Sequence, residues 1–223
     1  MKLALLFAAL LAYIPSSGSI LRRTGARSSE GGKSKEATLS GQLQLGDKAP
    51  QPAQLILRFP LSCRFEGATT AAVKGTADRP VASEDGSGPA QELLRLACPF
   101  IAYRGLSSSD TDRLLRAAAL SAGADLTAGS GLTRLGDRAA YVLGAGPREP
   151  SKPQLWIYKD NGAPARLLAQ GGDDLRLLQY GNPASADWFP RVIELWKGGQ
   201  LAARFEALET KGFRETGEGD DEE

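Results

Sequence analysis

The sequence predicts an α+β fold: one large, curved antiparallel β-sheet, an incomplete β-barrel, with two or so helices covering its concave face. Three observations predict it. Residues 154–211 form a meander of apolar runs at 155–158, 165–169, 175–180, 188–196 and 201–208, separated by Asp160-Asn161-Gly162, Gly171-Gly172, Gly181-Asn182-Pro183 and Gly198-Gly199. Paired glycines favour the primed hairpin turns, whose central residues need a positive φ that glycine reaches without a Cβ clash. Four short strand patterns precede this meander, and two helical patterns lie between the two groups. So many strands in one sheet should curl.

The N-terminal residues read as a targeting segment. Lys2 supplies a short positive region, residues 3–14 an apolar stretch of 12, and Pro15-Ser-Ser-Gly-Ser19 a small-residue exit with cleavage near Ser19. Twelve apolar residues are too few for a bilayer, which needs about 20. Residues 1–19 are therefore expected to be a signal peptide of an exported chain, periplasmic or secreted, with no transmembrane segment after its removal. Residues 20–36, rich in Ser, Gly, Arg and Lys, read as a flexible leader. Residues 37–211 form the folded domain, long enough for a real core. Residues 212–223 end in an acidic run and read as a disordered tail.

Within the domain, 38–45 alternates apolar with polar residues, the period of a half-buried strand. Further strands are expected at 54–59, 63–66 and 70–74. Residues 78–88, dense in Pro, Gly, Ser and Asp, read as a loop. A short helix follows over 89–97, stopped near Pro99 because a proline disfavours helix in the residue before it. Ser109, Asp110 and Asp112 suit the start of a second helix, closed by Gly123. Its Leu114, Leu115, Ala118 and Ala119 form an apolar stripe. Strands at 132–135 and 139–143 lead into the meander.

Turn geometry predicts a register for the last hairpin. With Gly198 and Gly199 central, Trp196 faces Leu201, Val192 faces Phe205 and Arg191 faces Glu206. One face then gathers Trp188, Val192, Trp196, Leu201, Ala203, Phe205 and Ala207, as core or cavity wall. The other pairs Arg191 with Glu206, worth roughly 0.2–1 kcal/mol. Glu194 falls on the apolar face, where a buried carboxylate needs a partner or a ligand unless a sheet edge leaves it wet.

Composition excludes much chemistry. The chain has 27 basic and 26 acidic residues and no basic stripe interleaved with aromatics, which disfavours nucleic acid. It has no histidine, so serine triads and imidazole metal sites are absent. Asp173-Asp174 falls in a hairpin turn and Asp110/Asp112 at a helix start, where acidic residues are expected anyway. No catalytic residue, metal site or cofactor is assigned, and the chain is not expected to be an enzyme. A carboxylate-only hydrolase would require two acidic side chains converging in a cleft. In an oxidising compartment the default for Cys63 and Cys98 is a disulfide; the alternatives are free thiols or a nucleophile, which would want a nearby base. The aromatics of the meander read either as ordinary core or as the lining of a ligand cavity.

Three motifs carry a family resemblance. Gln154-Leu-Trp-Ile-Tyr-Lys-Asp-Asn-Gly-Ala-Pro-Ala-Arg166 resembles the strand, turn and strand of the LolA/LolB-like lipoprotein carrier superfamily. Asp187-Trp-Phe-Pro-Arg-Val-Ile-Glu-Leu-Trp196 with Gly198-Gly-Gln-Leu201 is similar to that family's late hairpin. Leu57-Arg-Phe-Pro60, followed by Arg64-Phe-Glu66, is similar to its early Arg-Pro strand. The resemblance implies a half-open β-barrel with a helical lid and a periplasmic cavity for lipid or lipoprotein acyl chains. Lipoprotein-sorting proteins of the outer or inner membrane are the implied macromolecular partners. The wall candidates are Trp156, Trp188, Val192, Trp196 and Phe205; the lid underside is Leu114, Leu115 and Ala118. The family's lid-latching arginine corresponds to Arg58, or to the place of Phe59 if the prolines are aligned. The cysteine pair and the short second strand depart from the carriers. The competing expectation is a secreted structural, interaction or envelope-sensing domain with a closed core and no small ligand.

Overall fold

A computed structural model describes residues 14–29, 35–76, 79–149, 151–180 and 189–212. Twelve strands among them form one open antiparallel sheet, and three helices accompany it. The first strands are β1 (Glu36–Leu45), β2 (Gln51–Arg58), β3 (Ser62–Gly67), β4 (Ala71–Thr76) and β5 (Arg79–Asp85). After the helices come β6 (Gly131–Leu135), β7 (Arg138–Leu143), β8 (Gln154–Tyr158), β9 (Pro164–Leu168), β10 (Asp174–Tyr180), β11 (Pro190–Lys197) and β12 (Gln200–Gly212). Their spatial order is β5-β4-β3-β2-β1-β12-β11-β10-β9-β8-β7-β6, so β5 and β6 are the two edges.

The helices are α1 (Ser17–Ser29), α2 (Gly88–Ile101) and α3 (Ser108–Ser121). α2 lies on one face of the sheet, burying Leu93, Leu94, Ala97, Cys98 and Phe100. The core between them is filled by Leu39, Leu43, Leu55, Leu57, Phe65, Ile193 and Phe205. Phe65 and Phe205 meet at 5.4 Å between ring centroids. Cys63 of β3 and Cys98 of α2 are bonded, with Cα atoms 5.9 Å apart, which stitches the sheet to its helix.

Three local expectations are corrected. The segment read as a flexible leader holds most of α1, because Ile20 and Leu21 form an apolar pair that enters the main core. The loop expected at 78–88 contains β5, since the free edge of β4 offers backbone partners that outweigh a turn-like composition; two register shifts accommodate it. α2 continues through Pro99 to Ile101, anchored by the buried Phe100 and Ile101 and by the Cys98 disulfide. Residues 1–13, Trp188 with its preceding Gly181-Asn182-Pro183 turn, and residues 213–223 lie outside the described residues.

The last hairpin begins as its turn chemistry dictates. Gly198 and Gly199 both have positive φ (56° and 81°), Lys197 faces Gln200 and Trp196 faces Leu201. A bulge then leaves Ala202 unpaired, so Leu195 faces Ala203, Glu194 faces Arg204 and Ile193 faces Phe205. One inserted residue flips every side chain beyond it. Ile193 and Leu195 therefore share the helix-covered face with Ala203 and Phe205, while Val192, Glu194 and Trp196 turn outward. Glu194 is buried but satisfied, accepting from Arg204 Nη1 and Trp196 Nε1, each at 2.9 Å. Arg191 donates to the Thr210 hydroxyl, and Glu206 pairs with Arg204 at 2.9 Å, in place of the expected Arg191–Glu206 pair.

The outer face carries a smaller core of Ala140, Val142, Trp156, Tyr158, Ala163 and Ala165, roofed by arginines. Arg138 lies 3.9 Å from the Tyr158 ring centroid and Arg166 5.0 Å from that of Trp156. Such stacking shields apolar surface while the guanidinium keeps polar partners. Asp174 is buried between Arg166 (2.6 Å) and Arg176 (2.8 Å). Burial pushes its carboxyl up, but hydrogen bonds and charge from the two arginines outweigh burial and hold it below the ordinary carboxylate value.

Two outcomes are expected. Replacing both cysteines by serine should lower unfolding free energy by about 4 kcal/mol, since the bridge closes a 35-residue separation; urea melts of wild type and C63S/C98S measure it. Because the folded Asp174 value is depressed, its contribution is present above about pH 4 and is lost as pH falls through the lower folded value. Asp174→Asn should therefore cost on the order of 2 kcal/mol at pH 7. Thermal melts across a pH series should show the gap closing in acid.

Candidate functional site

On the helix-covered face of the sheet, under α2, Leu and Phe side chains of the sheet are buried in one core with those of the helix. The opening lies to one side, between α2 and α3. It has a volume of about 590 Å³. α2 contributes Leu96, Pro99 and Phe100 to one wall, and α3 contributes Leu114, Ala117 and Ala118 to the other. Leu167 of β9 and Ala169 just beyond it close the base, with Val81 of β5. Polar groups add to the lining: Arg95, Arg113, Ser121, Gln170 and Asp173.

Local sequence explains each wall. α3 starts at Ser107, whose hydroxyl accepts from the Asp110 amide at 3.1 Å while the Asp110 carboxylate pairs with Arg113. Hydrogen bonding from Ser107 outweighs desolvation and, with Arg113, holds the Asp110 carboxyl below its ordinary value. The apolar stripe of α3 then divides. Leu115 and Ala119 enter the main core, whereas Leu114 and Ala118 face the pocket. The far end of α3 is pinned by the Gln170 amide, which donates to the Ala122 carbonyl at 2.7 Å. In α2, Leu93, Leu94 and Ala97 point to the sheet, Leu96 serves the pocket side, and Phe100 belongs to both the core and the pocket lining.

The sequence-predicted site residues separate accordingly. Of the lid residues, Leu114 and Ala118 line the pocket and Leu115 does not. Of the wall residues, Phe205 is fully buried against Phe65. Trp156 and Trp196 lie on the outer face: Trp156 Nε1 donates to Gln154 Oε1 at 2.9 Å, and the Arg176 guanidinium lies 4.9 Å from the Trp196 ring centroid. Val192 shares that outward parity, and Trp188 lies outside the described residues. Arg58 is exposed and bonds Glu36 of the neighbouring strand at 2.7 Å; its ion pair joins two strands and no helix.

Sequence reasoning missed Leu96, Pro99, Phe100 and Leu167. A signal existed in α2, whose apolar residues at 93, 94, 96, 97, 100 and 101 cover more than the single stripe a helix needs to pack on a sheet. Among the described residues, no group of three or more His, Cys, Asp or Glu is placed to hold a metal ion. None of the described helices is long and apolar enough to cross a membrane. Tyr103 is pushed up to about 12 by burial, and Tyr180 is raised for the same reason. The Tyr180 hydroxyl donates to the Pro164 carbonyl at 2.6 Å, a structural bond across the hairpin.

No family model and no curated protein matches the chain. Solved structures do. A putative outer membrane lipoprotein-sorting protein domain from Vibrio parahaemolyticus superposes with a TM-score of 0.51 at 9% identity, covering 90% of this chain and 92% of that one. A LolA superfamily protein from Nitrosomonas europaea gives 0.41 at 14% identity, with 89% and 94% covered. A DUF1329 family protein from Desulfovibrio piger gives 0.46 at 11% identity, with 91% and 95% covered. At such identities the likeness concerns architecture alone: an open antiparallel sheet whose two edges are joined through helices, the LolA-like fold that the sequence motifs resemble.

Proposed function

We propose that the chain binds an acyl chain of a lipid or lipoprotein in the pocket between α2 and α3, as an exported, periplasmic carrier or chaperone in lipid or lipoprotein transfer. The observation that carries this reading is the pocket itself. Its volume of about 590 Å³ falls within the usual 300–1,000 Å³ of small-ligand sites, and its walls are apolar with polar groups among them. An acyl chain that leaves water gains about 0.8 kcal/mol per buried methylene. The oxidised Cys63–Cys98 pair supports an oxidising compartment. The work is physical rather than chemical: the pocket replaces water around a chain, and movement of α3 governs its release.

A second reading is favoured by a different observation. The sheet face beneath α2 is filled by its own side chains, as a protein-interaction or envelope-sensing domain without a small ligand requires.

Native mass spectrometry of the oxidised protein, with uptake of a fluorescent fatty acid measured alongside, separates the two. Wild type should take up the probe, and Ala118→Trp, which projects an indole into the pocket, should weaken uptake at least tenfold, or about 1.4 kcal/mol. Trp196→Phe, on the outer face, should bind as wild type does. A clean apo mass with no uptake supports the interaction domain, and unchanged binding by Ala118→Trp removes the pocket as the site.

A further inference from the structure

α3 is the pocket wall opposite α2, and its main helical neighbour is α1. The two helices pack side by side along much of their length, whereas the contact of α3 with α2 is slight because the pocket lies between them. Two glycines make the close approach. A Cβ on Gly25 would stand 2.5 Å from the Ser108 carbonyl oxygen, and one on Gly18 would stand 3.2 Å from the Arg116 guanidinium. Arg116 is clamped by Asp112 at 2.9 Å and donates to the Gly18 carbonyl at 3.4 Å. Between these points Ile20 and Leu21 are buried in the same core as Leu115 and Ala119 of α3. Both ends of α1 are tied to the strand connections: the Ser130 hydroxyl donates to the Pro15 carbonyl, and Arg27 donates to the Asp160 carbonyl at 2.9 Å.

α3 therefore has two working faces. One meets α1 through Ser108 and Arg116; the other meets the pocket through Leu114, Ala117, Ala118 and Ser121. Among the described residues, none of α1 lines the pocket. α1 can affect a ligand only by setting where α3 stands.

We propose that α1 is a brace that positions the α3 wall, so that docking of α1 on α3 and occupancy of the pocket favour one another. Gly25 and Arg116 are positioning residues, acting through α3 rather than touching the ligand. The inference rests on the acyl-chain reading of the pocket. Linkage makes it two-sided: if a docked α1 raises ligand affinity by some factor, the ligand must raise the docking equilibrium of α1 by the same factor.

The test uses the uncleaved chain, oxidised in vitro to form its disulfide, because a cut near Ser19 would remove Pro15 and Gly18, and dansyl-undecanoic acid as probe. Arg22 and Arg23 are exposed on α1, so limited trypsinolysis followed by mass spectrometry of the N-terminal fragment reads its release. Saturating probe should slow cleavage there about fivefold or more, and should give no protection in Ala118→Trp. Gly25→Leu should speed cleavage and weaken probe binding by similar factors, with far-ultraviolet circular dichroism confirming that the sheet is retained. Arg116→Ala adds no volume and should move both readouts in the same direction by less, which covers the case of a Gly25→Leu chain that does not fold. Faster cleavage of α1 at wild-type probe affinity, or probe binding without protection, overturns the brace while leaving the pocket reading intact. Absence of probe binding by wild type overturns the pocket reading and the brace with it.

Discussion

The pairing of β1 with β12 is the contact on which the architecture depends. It joins the strands that run outward from β1 to β5 with those that return from β6 to β12, and it makes one sheet of two runs. The sheet's edges, β5 and β6, are then linked only by the segment carrying α2 and α3. Laid flat, twelve strands about 4.8 Å apart would separate those edges by roughly 50 Å. The link between them holds two 14-residue helices, each about 21 Å long. Curling of the sheet brings the edges toward each other, and α2 lies across one of its faces, packed on both halves of the sheet.

β12 supplies much of the curvature. It carries one bulge against β11 at Ala202 and a second against β1, where Leu208 is left unpaired and exposed. Bulges increase local twist and bend the strand that holds them. The second demands glycine at position 41, because a Cβ there would stand 2.0 Å from the Glu206 carbonyl oxygen. The first is used as well as tolerated: the Ala202 carbonyl accepts from the Gly46 amide at 2.9 Å, which ties the β1–β2 turn to the central hairpin.

Most elements were legible because their signals are local. Paired glycines mark turns whatever surrounds them, and the stripe of α3 has helical spacing in isolation. What escaped was decided by distant partners. β5 pairs along an edge that its own composition does not announce. α1 is short and polar on average, and only contact with α3 makes a core helix of Ile20 and Leu21. Trp196 was misplaced because the bulge at Ala202 reverses the parity of β11, so Trp196 and Val192 exchange faces with Ile193 and Leu195. Turn residues set the register of the first two pairs but carry no information about an insertion that follows them. The apolar character of Trp156 and Trp196 was legible; that arginines stack on their rings was not.

That reversal also bears on where a pocket can exist. With Trp156 and Trp196 turned outward, the inner face presents Leu, Ile, Ala and Phe side chains that share one core with α2. A vacancy cannot open there without separating α2 from the sheet, which the Cys63–Cys98 bond opposes. The remaining freedom lies at α3, which leans on α1 and leaves Leu114 and Ala118 facing Phe100 and Pro99 across open space. Pro99 and Phe100 give that wall its apolar character. The width of the pocket is consequently the separation of α3 from α2, above a base that Leu167 of the sheet helps to close.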